Sequence, residues 1–176
     1  MVINGMGYNR LASKARAAIR NTVAAAVPTI TFAGHTAPTV VNHYDAYTPR
    51  TTRESGETVA PSKESPCVSY TTNDNTPEIH GTGNKRVPCM IRVESRSDAD
   101  ESLDDDDPKA NHDELVAAVF DVVMDEAIAA TLSAATDEFH VYEVFDMGES
   151  SEEIDEGNIF VTTRHIDLVC CPVSLT

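Results

Sequence analysis

Residues 108–132, PKANHDELVAAVFDVVMDEAIAATL, decide how this chain folds. Their spacing predicts a helix opening at Asn111-His112-Asp113-Glu114. Asn111 is placed to accept a bond from a first-turn N–H, and Glu114 to reach back to the Asn111 N–H, a capping box. Pro108, just upstream, keeps the helix from extending backwards. Beyond it Leu115, Val116, Val119, Phe120, Val122, Val123, Met124, Ile128 and Leu132 occupy most of the circumference. Glu114, Ala117, Asp121 and Asp125 share the narrow remaining face. A single sheet covers one side of such a helix, so the wide apolar arc implies a second covering surface, a neighbouring subunit. Downstream, residues 139–145 (FHVYEVF) and 159–169 (IFVTTRHIDLV) read as two strands, with an acidic connection between them at 147–157.

At 176 residues the chain fits a single domain spanning 1–176. Core segments are expected at 9–33 and 66–170, an extended polar arm at 34–65, and a protruding β-loop at 72–86. No run approaches membrane-spanning length, and the start MVINGMGY is too short and too broken by glycine for a signal peptide. A soluble protein made in the cytoplasm, with no membrane partner, is expected. Cys67, Cys89, Cys170 and Cys171 each lie in or beside an apolar run and form no C-x-x-C pair. Buried thiols follow, rather than a disulfide framework.

The formal net charge of −16 weighs against a direct grip on nucleic acid, which needs clustered Lys and Arg. It does not weigh against a surface past which DNA slides without sticking. The charge is also unevenly placed. No Asp or Glu precedes Asp45, whereas Arg10, Lys14, Arg16 and Arg20 fall in the first helical stretch. Over 94–156 only Arg96 and Lys109 oppose the acids. A basic region and an acidic region on one chain imply internal pairing or head-to-tail contact between copies.

Taken in order, residues 1–8 read as a flexible or partner-docking tail. A helix is expected over 9–27, with Leu11, Ala15, Ala18, Ile19, Thr22, Val23 and Ala26 on its inner face, the four cations opposite, and Pro28 at its end. Residues 29–32 read as a short strand and 39–44 as an edge strand within the polar arm, whose remainder lacks the apolar residues of a core. Residues 67–71 and 87–94 read as an antiparallel pair joined by the turn-rich β-loop. The fold class is therefore α+β: a mainly antiparallel sheet with two helices packed on one face, a long polar arm and a protruding β-loop.

Motifs for chemistry are missing. The acidic run 98–104 has the oxygen spacing of a calcium loop, but Leu103 stands where glycine must turn and Lys109 where a bidentate glutamate belongs. A calcium-binding module or metal-dependent enzyme is the competing reading; a solvated acidic loop is preferred. The six histidines form no metal-ligand spacing, although His140 and His165 on the last two strands are placed to face each other. Gly81-Thr82-Gly83-Asn84-Lys85 lacks the strand-to-helix context of a phosphate loop. No Gly-x-Ser-x-Gly occurs. No catalytic residue, cofactor or metal is assigned, and no enzyme is expected.

The order of elements nevertheless resembles a known family. A helix ends at a proline and leads into a strand and a polar arm. The Pro-flanked strand Ser65-Pro66-Cys67-Val68-Ser69-Tyr70 follows, then a β-loop and a strand ending Arg92-Val93-Glu94. An acidic turn, Asp107-Pro108, opens the long helix before the two last strands. This is similar to the tail terminator (tail completion) proteins of the necks of tailed bacteriophages. The resemblance implies a homo-oligomeric ring, a hexamer, that caps the tail-tube protein, stops tube polymerisation and meets the head-side connector or stopper. Genomic DNA would pass through an acidic lumen without specific binding. It also implies assembly in the host cytoplasm, residence in the virion, and no catalytic residue or cofactor. The longer arm and acidic loops of this chain leave a related neck or tail-tube role as the alternative. Contacts between copies or rings would then fall on Arg10, Lys14, Arg16 and Arg20 of the first helix. Others would fall on Tyr44, Tyr47, Arg50 and Arg53 of the arm, and on Asn73, Asp74, Glu78, Lys85 and Arg86 of the β-loop.

Overall fold

The computed structural model describes residues 8–45, 51–52, 58–59, 65–72, 79–80, 84–96, 107–154 and 159–173. In chain order these form α1 (Tyr8–Ala26), β1 (Thr29–Ile30), β2 (Thr39–Val40), β3 (Asn42–Tyr44), β4 (Thr51–Thr52), β5 (Thr58–Val59), β6 (Cys67–Thr72), β7 (Ile79–His80) and β8 (Asn84–Arg96). Then follow α2 (Pro108–Val123), α3 (Ile128–Ala134), β9 (Phe139–Ile154) and β10 (Ile159–Pro172).

The central helix begins earlier and ends sooner than its sequence suggests. Its cap is Asp107, whose carboxylate accepts from the Lys109 and Ala110 N–H groups, both at 3.1 Å. Pro108 then occupies the first helical position, where a missing N–H costs nothing. The expected Asn111/Glu114 capping box is replaced: Asn111 N–H already donates to the Asp107 carbonyl, and the Glu114 carboxylate accepts from Ala33 N–H. The helix breaks at Met124, whose φ of −98° and ψ of 5° leave the helical region. Asp125 causes the break by accepting from Ala127 N–H at 2.7 Å, a local side-chain bond that competes with the helical ladder. Ile128 and Leu132 therefore belong to a separate short helix, α3.

The main sheet runs β3-β6-β8-β10-β9, with β7 folded onto the start of β8. The β3–β6 pair is parallel and the others are antiparallel. Two further two-stranded ladders, β1–β2 and β4–β5, lie outside it. On each long strand one alternation of residues enters a single core: Val68 and Tyr70; Val87, Cys89, Ile91 and Val93; Ile166, Leu168 and Cys170; Phe139 and Val141. All three helices pack on that face, α1 over β6 and β8, α2 over β8 and β10, α3 over β9. The fold is α+β. Leu11, Ala12, Ala15, Ala18, Ile19 and Val23 form the buried stripe of α1, and its alanines let the helix lie close to the sheet. Helix α1 also packs against α2, so the wide apolar arc of the central helix finds a second surface within the chain.

The last two strands correct the sequence reading most. Residues 147–154 of the expected acidic connection are strand, and 155–157 lie outside the described residues: β9 and β10 form one long hairpin, paired from Phe139↔Pro172 to Ile154↔Ile159. Charged residues sit in a strand here because β10 supplies a complete ladder partner, and Arg164 meets Asp146 at 2.6 Å and Glu149 at 3.4 Å. Two register shifts leave Tyr142 and Met147 as extra residues. Beside the second, Gly148 takes φ +102°, a backbone that side chains resist. The register sets His140 opposite Cys171 and His165 opposite Gly148, so the two histidines do not face each other.

The short strand expected at 29–32 is trimmed to Thr29–Ile30, and the strand expected at 39–44 divides into β2 and β3. Residues 1–7 and the acidic run 98–106 lie outside the described residues. Cys67, Cys89 and Cys170 are buried, Cys171 is half-buried, and all four are free thiols.

Candidate assembly interface

Two polar pins fix the sheet to its helices. At one end His43 lies between Tyr70 and Val27. Its Nε2 is 3.0 Å from the Val27 carbonyl, which only accepts, so Nε2 carries the proton and Nδ1 accepts from the Tyr70 hydroxyl at 2.9 Å. Burial lowers the His43 pKa and raises that of Tyr70, which favours this neutral pair. The bond holds β3 and β6 under the end of α1.

At the other end a chain of side chains crosses four elements. Ser95 Oγ lies 2.7 Å from His112 Nδ1, His112 Nε2 lies 3.0 Å from Thr162 Oγ1, and Thr162 Oγ1 lies 3.0 Å from Ser151 Oγ. Ser95, His112 and Thr162 are all buried. Burial pushes His112 down to about 4, so the ring is neutral at pH 7 and each nitrogen meets a hydroxyl that can donate or accept. Burial also pushes the Cys89 and Cys170 thiols up to about 12, far from the thiolate form a nucleophile needs. Among the described residues no group of three or more His, Cys, Asp or Glu is placed to hold a metal ion, and no helix is long and apolar enough to cross a membrane.

The cations singled out from the sequence are largely engaged within the chain. Arg10 and Lys14 both reach Glu138 at 3.0 Å, which holds its carboxyl below the usual range. Arg20 bonds Asp45 and Asn21. Arg86 binds Asp167 and lies 3.5 Å from the Met147 sulfur. Arg16 is half-buried, and its Nε makes no hydrogen bond. Tyr44 is half-buried in β3, and Lys85 pairs with Ile79 at the base of the β-loop. The structure does not gather these residues into one patch. Tyr47, Arg50, Arg53, Asn73, Asp74 and Glu78 lie outside the described residues.

What the sequence reading missed is the outer strand. β9 is 16 residues long and lies at the end of the sheet. From Tyr142 to Glu153 every residue except half-buried Val144 is exposed. Tyr142, Phe145 and Met147 are exposed by 61%, 41% and 53%, three of the five large hydrophobics exposed among the described residues. Ser133 of α3 fixes the root of this strand, accepting from Val141 N–H at 2.8 Å and donating to the Val141 carbonyl at 3.1 Å. On the helix-free side a groove of about 510 Å³ crosses the sheet between Thr71, Met90, His165 and Met147. The available signal was the β-branched and aromatic start of β9; its acidic continuation masked the rest.

No family model matches the chain, and no curated protein matches it. Among solved structures it is similar to a chain of the virion of a native gene transfer agent particle. That similarity has 14% identity and a TM-score of 0.42, and covers 88% of this chain and 92% of that one.

Proposed function

We propose that this chain is a structural virion protein of a tailed-phage neck, a tail terminator. In this reading six copies close as a ring on the last ring of the tail tube, stop its growth and meet the head-side connector. One observation carries the reading: the helix, β-loop hairpin, capped helix and final hairpin form one helix-backed subunit whose sheet ends in a long strand with its outer side unpaired among the described residues. An isolated subunit has no use for such an edge, and an assembling one does. The polar chain through His112 is read as a structural pin because Ser95 and His112 are buried, and no catalytic step is assigned to it. Net charge supports a lumen that repels DNA instead of binding it. The arm and β-loop residues Tyr44, Tyr47, Arg50, Arg53, Asn73, Asp74, Glu78, Lys85 and Arg86 are assigned to contacts between rings or copies.

The test is to add the purified protein to polymerising tail-tube protein and measure tube length by electron microscopy. Shorter, capped tubes are expected. Tubes that grow to the same length with and without it contradict the terminator role; rings that bind elsewhere in the neck favour the alternative of another neck component.

A further inference from the structure

From Phe145 to Glu153 every residue of the outer strand β9 is exposed, so this half of the strand shows solvent two faces and an edge. Both register shifts lie before Gly148. The run from Gly148 to Ile154 is therefore a regular ladder against β10, with its other side unpaired among the described residues. Proteins usually blunt so long an edge by shortening, covering or bending it. What completes such an edge is another extended backbone, which brings N–H and carbonyl groups at the matching spacing.

Charge decides which backbone. β9 carries Glu143, Asp146, Glu149, Glu152 and Glu153 and no Lys or Arg. The cations that reach these acids are shared. Arg164 gives Nε and Nη2 to Asp146, which leaves Nη1, at 3.4 Å, for Glu149. Arg92 lies 3.5 Å from Glu94 and 3.8 Å from Glu152, whose side chain stays 58% exposed. Glu143 and Glu153 make no ion pair among the described residues. The rim keeps unbalanced negative charge beside a row of open backbone groups.

A second copy of β9 is a poor match. Two such strands set antiparallel about Ser151 would put Glu149 opposite Glu153 and Ser150 opposite Glu152, and like charges directly opposite destabilise a pair. The far rim of the sheet, β3, carries no Lys or Arg, and its Asn42 and Tyr44 already have partners. The acids thus close the edge to a second β9 while leaving it open to a strand of opposite charge, so that one kind of partner is accepted and another refused.

We infer that the β9 edge over 148–154 docks an extended, lysine- or arginine-bearing segment of another polypeptide, which joins the sheet as a further strand with its cations against Glu153 and the exposed Glu152. The inference rests on the reading of β9 as an assembling edge, not on the ring, and names the chemistry of what meets that edge.

The probe is an acetylated and amidated (Lys-Thr)4 peptide, added to the unmodified protein at low salt, where surface charge is least screened. Within 148–153, the amides not bonded to β10 should exchange at least about tenfold more slowly with the peptide than without it. Spermine carries the same charge with no backbone, and (Glu-Thr)4 a like backbone with the opposite charge; neither should protect. Equal protection by spermine reduces the effect to charge alone, and equal protection by (Glu-Thr)4 removes the selection by charge. Either result overturns the inference, as does an absence of protection by (Lys-Thr)4, which would show that the acids only guard the edge. Glu153→Lys breaks no ion pair among the described residues and should weaken peptide binding about threefold or more; unchanged affinity also overturns the inference. Tubes still capped by a protein that ignores the peptide leave the terminator reading standing, whereas a protein that takes the peptide and never forms a ring overturns the ring alone.

Discussion

His112 Nε2 lies 3.0 Å from Thr162 Oγ1, so a residue in the second turn of α2 is bonded to one fifty positions later in the last strand. Because the ring is buried and neutral, this bond has a pH dependence whose sign is fixed. Unfolded histidine titrates near 6.5, and folded His112 near 4. Between those values the unfolded chain binds a proton that the folded chain does not, so stability is full above 6.5 and falls as pH drops toward 4. Urea midpoints at pH 7.5 and 4.5 should differ more for wild type than for His112→Gln. Equal differences would show that His112 is not a buried neutral group.

The start of α2 separates two candidate caps. Asp107→Ala should cost about 1 kcal/mol, because two first-turn N–H groups lose their acceptor. An unchanged denaturation midpoint for Asp107→Ala would remove Asp107 as the cap.

Tyr70 has no exposed surface and gives its hydroxyl proton to His43. Tyr70→Phe keeps the ring but leaves His43 Nδ1 without its donor, at a cost of about 1–2 kcal/mol. A double-mutant cycle with His43→Leu should show coupling of about 1 kcal/mol between the two. Additive effects would remove the pin that ties β3 to the sheet.

Calcium should leave the melting temperature unchanged at millimolar concentration. A ligand that binds only the folded state must raise its stability, so an upward shift would support the calcium-module reading of the acidic run before α2.

How far the sequence was legible depends on where packing or local bonding sets the outcome. The inner stripe of α1, the β6–β8 pair and the β-branched start of β9 carry strong apolar patterns, and these lie where the patterns place them, except that Ala26 of the expected stripe is exposed and Ala12 is buried in its stead. The cap at Asp107 and the break at Asp125 were misread because aspartate side chains bonded to nearby N–H groups, an effect that apolar spacing does not encode. The second half of β9 was misread because its strand state comes from β10 and from Arg164, not from burial of its own residues. The same blindness hid the exposed edge. The cations of α1 were legible as a group, but their partners Glu138 and Asp45 lie far along the chain, so their engagement was not.

The most direct test of the account is the mass and shape of the purified protein across concentration, alone and with tail-tube ends, by sedimentation and electron microscopy. The account predicts a closed ring, six copies in number, seated on the tube end. A protein that remains monomeric under every one of these conditions contradicts it.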